Sequence, residues 1–140
     1  MPDGEFFIAR AKDVDDALIE GGPVDRYPAL EANDVTSVEL ATLGEILGVG
    51  SYDDLVVSFE HAARPSASGE AALLEIPTDY RDAVAALDDA RTVAAAWAAT
   101  EELALSGYRA EDAVAVLSAV GELARQAQTD GRELWIWVSL

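Results

Sequence analysis

Side chains able to do acid–base or nucleophilic chemistry are few in this sequence. His61 is the single histidine, and the absence of cysteine excludes disulfides and thiolate metal sites. His61 lies beside Glu60 and near Arg64, and Ser58 lies in no nucleophile-elbow pattern. Catalysis with His61 as a general base needs a nucleophile, and this stretch offers no clear one. We therefore predict no catalytic residue, and we retain His61 and Arg64 as candidates for a ligand site or an interface.

Pairs of neighbouring carboxylates are the next candidates for chemistry. Adjacent acids on a helix point in different directions, so they rarely bind the same cation. No loop has the alternating oxygen ligands of a calcium site, and no glycine-rich loop follows a predicted strand to hold a phosphate. We predict neither a metal nor a cofactor from these pairs, which are Asp15–Asp16, Asp53–Asp54, Asp88–Asp89 and Glu101–Glu102.

Tryptophans offer a third kind of site, because they bring a large apolar surface and one hydrogen-bond donor. Trp135 and Trp137 alternate with Ile136 and Val138, and side chains on a strand point to opposite faces in turn. Two interpretations stay open. Either the tryptophans pack in the core, or Trp97, Trp135 and Trp137 line a cleft or an interface, including a homodimer contact.

The charge of the chain limits its partners. Asp and Glu total 27 against 9 Lys and Arg, which gives a net charge of -18, and Lys12 is the single lysine. Such a surface repels nucleic acid phosphates and anionic membranes, so we predict that the protein binds neither. Three explanations of the acidity stay open: solubility together with the lysine depletion of a GC-rich genome, adaptation to a salty cytoplasm, and a basic protein partner.

The sequence shows neither a secretory signal nor a membrane-spanning stretch, and these two features decide the expected cellular location. The start of the chain has no basic region followed by a long apolar run, so we predict no secretory signal. No apolar stretch is long enough to span a bilayer. A cytoplasmic protein is therefore the expectation.

Turn residues and hydrophobic periodicity divide the chain into short elements. The clearest is a helix over 35–48, where Thr36 and Glu39 form a capping box and Gly48 ends the apolar stripe. Segment 51–63 is ambiguous; we prefer a strand from Leu55 to about Glu60, and a helix is the alternative. We further predict strands over 5–9, 71–77 and 134–138, a loop over 23–34, and helices within 13–22, from Thr78, over 88–107 as one helix or two, and over 110–129.

These elements predict a single α+β domain over residues 1–140. We expect a mixed or antiparallel sheet of about four strands, packed by three to five helices. The strands over 5–9 and 134–138 are apolar on both faces, and such strands at an exposed edge would invite aggregation. We therefore predict that these two strands are central and adjacent.

The layout resembles a group of small actinobacterial proteins with no established activity. The matching features are "FFIA", Gly22–Pro23, "LGEILG", Trp97 followed by Thr100 to Glu102, and "DGRELWIWV". The resemblance covers most of the chain. It implies an α+β layout and an uncharacterised intracellular role, and it transfers no catalytic residue.

The sequence favours a non-enzymatic binding or interaction domain, because it combines a core pattern and a negative surface with no catalytic set. One form of this hypothesis is an immunity or inhibitor protein that masks a basic partner, since opposite charge speeds association. The alternative is a small-ligand protein or an enzyme with a cleft near Trp97, Trp135 or Trp137.

Overall fold

Two strands that are distant in the sequence form the middle of the molecule. The computed structural model describes residues 3–139, and in it β1 (Asp3–Ala9) pairs antiparallel with β5 (Glu133–Ser139). Each residue of β1 has a partner in β5, from Asp3 opposite Ser139 to Ala9 opposite Glu133. The prediction that these two strands are adjacent in the interior of the sheet is confirmed.

Three further strands complete an antiparallel sheet. They are β2 (Leu30–Asn33), β3 (Arg64–Pro65) and β4 (Ala71–Glu75), and the order across the sheet is β2-β1-β5-β4-β3. The α+β prediction is confirmed, and the antiparallel form of the sheet is the one observed. The structure has five strands rather than about four, because β2 and the two-residue β3 are too short to give a clear pattern in the sequence.

The helices are more numerous than the three to five predicted. Within residues 3–139 there are seven α-helices and one short 3-10 helix over Ala11–Asp13. The alanine-rich stretch forms two helices because the chain restarts at Thr100, whose Oγ1 accepts a hydrogen bond from the Leu103 N–H at 3.4 Å. The helices are α1 (Asp16–Gly21), α2 (Ser37–Leu47), α3 (Tyr52–Ala62), α4 (Thr78–Ala85), α5 (Ala90–Ala98), α6 (Glu101–Leu105) and α7 (Ala110–Asp130).

The preferred strand between Leu55 and Glu60 is wrong, because this segment belongs to α3. The Oγ of Ser51 caps the helix by accepting a hydrogen bond from the Asp54 N–H at 3.2 Å. Leu55 and Phe59, one helical turn apart, are both buried in the core. Burial of this face outweighs the strand preference of the valines and phenylalanine.

The predicted loop over 23–34 is also partly wrong, because it contains β2. Leu30 and Ala32 alternate with Glu31 and Asn33, and only the first pair packs in the core. This period of two covers four residues directly after a proline-containing turn, so it is a weak signal alone. Pairing with β1 supplies the missing stabilisation.

The sheet has two different faces. One face carries Phe6, Ile8, Leu134 and Ile136 and packs against α2 to α7, and we call it the helical face. The opposite face carries Phe7, Leu73 and Trp135 and packs against Leu18 of α1, and we call it the α1 face. Both faces therefore contain a buried cluster, although the second one is much smaller.

No helix within residues 3–139 combines the length and the apolar character needed to cross a membrane.

Candidate functional site

Trp97 is part of the core on the helical face. Its side chain is 1% exposed. The indole N–H donates to the Glu39 carbonyl at 3.0 Å and to Thr42 Oγ1 at 3.1 Å. The apolar cavity beside the ring measures about 10 Å³. That space holds about one water molecule, so a ligand would reach Trp97 only if the core opened.

Trp135 and Trp137 attach the segment around α1 to the sheet. The Trp135 indole N–H donates to the Ala9 carbonyl at 2.9 Å, and that of Trp137 donates to the Ile19 carbonyl at 2.8 Å. Trp135 is buried and Trp137 is half-buried. Gly22 approaches the Trp137 ring so closely that a Cβ there would lie 2.9 Å from it. Both donors are used within the protein, which fits the core interpretation.

His61 and Arg64 lie at the surface near the opposite edge of the sheet from β2. His61 is exposed in the last turn of α3, and Arg64 is exposed in β3. The Arg64 guanidinium carbon lies 5.6 Å from the centroid of the Trp135 ring, a cation–π contact. Of the five residues singled out from the sequence, Trp135 and Trp137 thus share the α1 face with Arg64, whereas Trp97 lies on the helical face.

A second group of residues forms a more distinctive feature, which we call the acidic corner: Asp3, Glu5, Glu31, Asp34 and Asp112. Glu5 of β1 and Glu31 of β2 are directly opposite each other in the ladder, and Asp3 is opposite Asn33. Cross-strand partners have Cβ atoms about 5 Å apart, so the two glutamates repel each other. Asp3, Glu5 and Glu31 lie at the end of the α1 face where β1 changes from apolar to acidic residues. Asp34 and Asp112 lie beside the outer edge of β2.

The acidic corner borders an open groove between β2 and the start of α7. The groove has a volume of about 480 Å³. The Tyr108 hydroxyl reaches across its end and donates to the Asn33 carbonyl at 2.7 Å. A neighbouring hollow of about 190 Å³ shares Glu31 and Asn33 with it. The groove is lined by Glu31, Asn33, Asp34, Ser106, Gly107, Tyr108, Asp112, Ala115 and Val116.

The electrostatics of the corner follow from these positions. Burial raises the pKa of Glu5, and the carboxylates of Glu31 and Asp3 raise it further. Burial also raises the pKa of Tyr108, with further contributions from nearby carboxylates that include Asp34 and Asp112. The smaller contributions of the neighbouring carboxylates to both pKa shifts reflect the negative charge of the corner.

Positive charge is scarce around the corner. Within residues 3–139, Asp112 is the one member of the corner that forms a salt bridge, with Arg109 at 3.8 Å. The Arg109 side chain is 76% exposed, so this contact is strongly screened by solvent. No group of three or more His, Asp or Glu among the described residues is arranged to hold a metal ion. The corner therefore has little compensating positive charge of its own.

Comparison with protein-family models, curated proteins and solved structures finds no match to this chain. No relative therefore assigns a role to the acidic corner, and its role is inferred from its geometry.

Sequence reasoning missed the acidic corner for a physical reason. Its members come from β1, from β2 and the residue after it, and from α7. The hydrogen bond between Tyr108 and Asn33 joins positions 75 residues apart. No local spacing marks such a group. The one available signal was the alternation of Leu30 and Ala32 with Glu31 and Asn33, which points to β2 but is too short to identify the strand by itself.

Proposed function

We propose that this protein is a non-enzymatic interaction domain that binds a basic region of a partner protein through the acidic corner. The observation that carries the proposal is the pair Glu5 and Glu31, two carboxylates placed directly opposite each other without a salt bridge among residues 3–139. A cationic side chain of a partner would relieve their repulsion.

The facing glutamates make the free protein less stable. Like charges directly opposite each other in a sheet are destabilising, by about 0.2–1 kcal/mol. Ordinary sheets place opposite charges or small polar residues at such positions. A destabilising arrangement at an accessible groove is typical of a functional surface, because a bound cationic group removes the repulsion that lowers the stability of the free protein.

The net charge supports the same class of partner. A chain with a net charge of -18 attracts basic proteins over long range and accelerates their association at low salt. An immunity or inhibitor protein that covers a cationic active site is one form of this function. In that form the acidic corner would occupy the position that an anionic substrate normally takes.

The alternative of a ligand cleft or enzyme near the tryptophans has less support. Trp97 borders a space of about 10 Å³, and the indole N–H groups of Trp135 and Trp137 are engaged by backbone carbonyls. A homodimer through this face would have only the exposed part of Trp137 to use, because its indole N–H is bound to Ile19 and its ring packs against Gly22. We propose a cytoplasmic location, where a basic partner would be encountered before it reaches its own target.

The proposal is tested by binding after neutralisation of the corner. The variant combines Asp3→Asn, Glu5→Gln, Glu31→Gln and Asp34→Asn. Wild-type protein is immobilised and exposed to native lysate at low salt, and the most enriched basic protein is purified for titration by calorimetry. We expect the corner variant to bind this protein at least about tenfold more weakly, because close charge pairs are lost.

A matched control separates the corner from net charge. It combines Asp53→Asn, Asp54→Asn, Glu60→Gln and Glu70→Gln, four exposed residues outside the corner, and changes the charge equally. We expect its affinity to stay within about twofold of the wild type, as for screened rim charges. Equal weakening by both variants, or recovery of no basic protein at low salt, would contradict the proposal.

A further inference from the structure

The sheet has two edge strands, and they differ in how well they are protected. β3 is two residues long and contains Pro65, which has no backbone N–H to offer to another strand. β2 contains no proline over Leu30–Asn33 and pairs with β1 on one side. Of the two edges, β2 is therefore the one that can accept an additional strand.

The backbone of β2 presents free groups to the groove. The Asn33 carbonyl accepts the Tyr108 hydroxyl at 2.7 Å, so it faces away from β1. In an antiparallel pair, residues alternate between those bonded to the partner strand and those directed outward. The N–H and C=O of Glu31, two residues before Asn33, therefore also face outward. The outer edge of β2 thus offers two donors and two acceptors, and Tyr108 occupies one of the acceptors.

The groove beside this edge suits an extended segment. It has a volume of about 480 Å³ and is bounded on its other side by the beginning of α7. Carboxylates lie on both sides, with Glu31 and Asp34 on the strand side and Asp112 on the helix side. A second copy of this chain would bring its own net charge of -18 to the groove and be repelled. Charge complementarity therefore selects a basic occupant.

We infer that a basic, extended segment of the partner adds to β2 as a sixth strand of the sheet. Before the segment binds, the Tyr108 hydroxyl occupies the Asn33 carbonyl on this edge. This inference rests on the proposed function and specifies how the partner is recognised. Main-chain hydrogen bonds supply the pairing in this mode, and alternate side chains of the added strand face the carboxylates of the corner. The partner releases the Asn33 carbonyl from Tyr108 and takes its place.

The first test uses the amide of Glu31 as a reporter. Hydrogen exchange is followed by NMR, with and without a synthetic peptide of alternating lysine and threonine. We expect the Glu31 amide to exchange rapidly in the free protein, and the Ala32 amide to be protected by β1. Peptide at saturation should slow exchange at Glu31 by at least about tenfold, since a hydrogen-bonded amide is protected from exchange. Unchanged exchange at Glu31 in the saturated complex would overturn the inference.

The second test separates hydrogen bonding from charge. The control peptide has the same sequence and charge but is N-methylated at every residue, so it has no backbone donors. We expect wild-type protein to bind the parent peptide about tenfold more tightly, equivalent to one or two net hydrogen bonds. Glu31→Pro removes the outward N–H of residue 31, which donates to a peptide carbonyl, and both Glu31→Pro and Glu31→Ala remove the carboxylate. Glu31→Pro should therefore bind the parent peptide about fivefold more weakly than Glu31→Ala does, and equal affinities of the two variants would count against strand addition.

The outcomes distinguish this inference from the proposed function. Equal affinity of wild-type protein for the two peptides, with loss of both in the four-residue corner variant, would overturn strand addition and leave charge-based docking supported. Binding of neither peptide at low salt would overturn both. If Glu31→Pro fails to fold, exchange at the Glu31 amide of the wild-type complex still decides the question.

Discussion

The same strands form both faces of the sheet, but other elements cover the two faces to different extents. On the helical face, Phe6 and Ile8 of β1 are buried beneath helices along the strand. On the α1 face, Phe7 and Ala9 are buried, while Glu5 and Asp3 towards the other end are not. The difference follows from sequence alone, because one side of β1 is apolar throughout and the other changes from acidic to apolar. A half-covered face can hold a stable core and a binding surface together.

The first prediction tests whether the α1 face contains a core of the same quality as the helical face. Trp135→Ala removes a fully buried ring and a hydrogen bond to Ala9. We expect a loss of about 4 kcal/mol in the free energy of unfolding, similar to that of Trp97→Ala on the other face. Denaturant unfolding measures both. A loss below about 1 kcal/mol for Trp135→Ala would mean that the α1 face is only a loose cover.

The second prediction concerns the contact that holds the α1 segment against the sheet. Gly22 has a φ of 81°, and an added Cβ would lie 2.9 Å from the Trp137 ring. We expect Gly22→Ala to destabilise the protein by about 2 kcal/mol, through backbone strain and overlap with the ring. Gly21→Ala is the control, since no atom lies within 4 Å of its added Cβ. Equal effects of the two substitutions in thermal unfolding would show that Gly22 is not a close contact.

The third and smallest prediction concerns the open end of the α1 face. The pKa of Glu5 is raised above its ordinary 4.5, so the folded protein binds this proton more tightly than the unfolded chain. Ionised Glu5 therefore destabilises the fold at neutral pH, and this penalty disappears as pH falls through the folded pKa towards 4.5. We expect Glu5→Gln to stabilise the protein by about 0.5 kcal/mol at neutral pH.

Unfolding measured as a function of pH checks this sign. The gain from Glu5→Gln should shrink on acidification and vanish below about pH 4.5, where wild-type Glu5 is protonated in both states. Glu60→Gln on α3 is the control outside the corner. A stabilisation that stays constant with pH would show that the charge of Glu5 is not its cause.

Local signals were sufficient for most elements of the fold. The helix α2 begins as its capping box predicted, with the Thr36 N–H donating to Glu39 Oε1 at 3.0 Å, and Gly48 ends it in the left-handed conformation. Gly131 likewise ends α7 with a φ of 65°. The two-faced apolar character of the strands at 5–9 and 134–138 predicted their adjacency correctly. For the two helices the deciding interaction lies at the end of the element itself, and for the two strands the signal lies within each strand although their pairing joins distant parts of the chain.

Tertiary contacts decided the elements that were wrong. Segment 51–63 contains valines and a phenylalanine that favour a strand, but Leu55 and Phe59 fit the core only at helical spacing. β2 is stabilised by β1, which no local pattern within 30–33 can encode. The candidate site is harder still, because Glu5, Glu31 and Asp112 meet only after the sheet and α7 are assembled.

The position of β5 has a consequence for how the sheet can be assembled. Of the five strands, β5 is the only one that contacts both β1 and β4, so without it the sheet separates into two ribbons, β2–β1 and β4–β3. The bond from the Trp135 indole to Ala9 spans 126 positions. During synthesis on the ribosome, β1 therefore cannot pair with β5 until nearly all of these 140 residues have been made. Phe6 and Phe7 lack their partners in β5 until then.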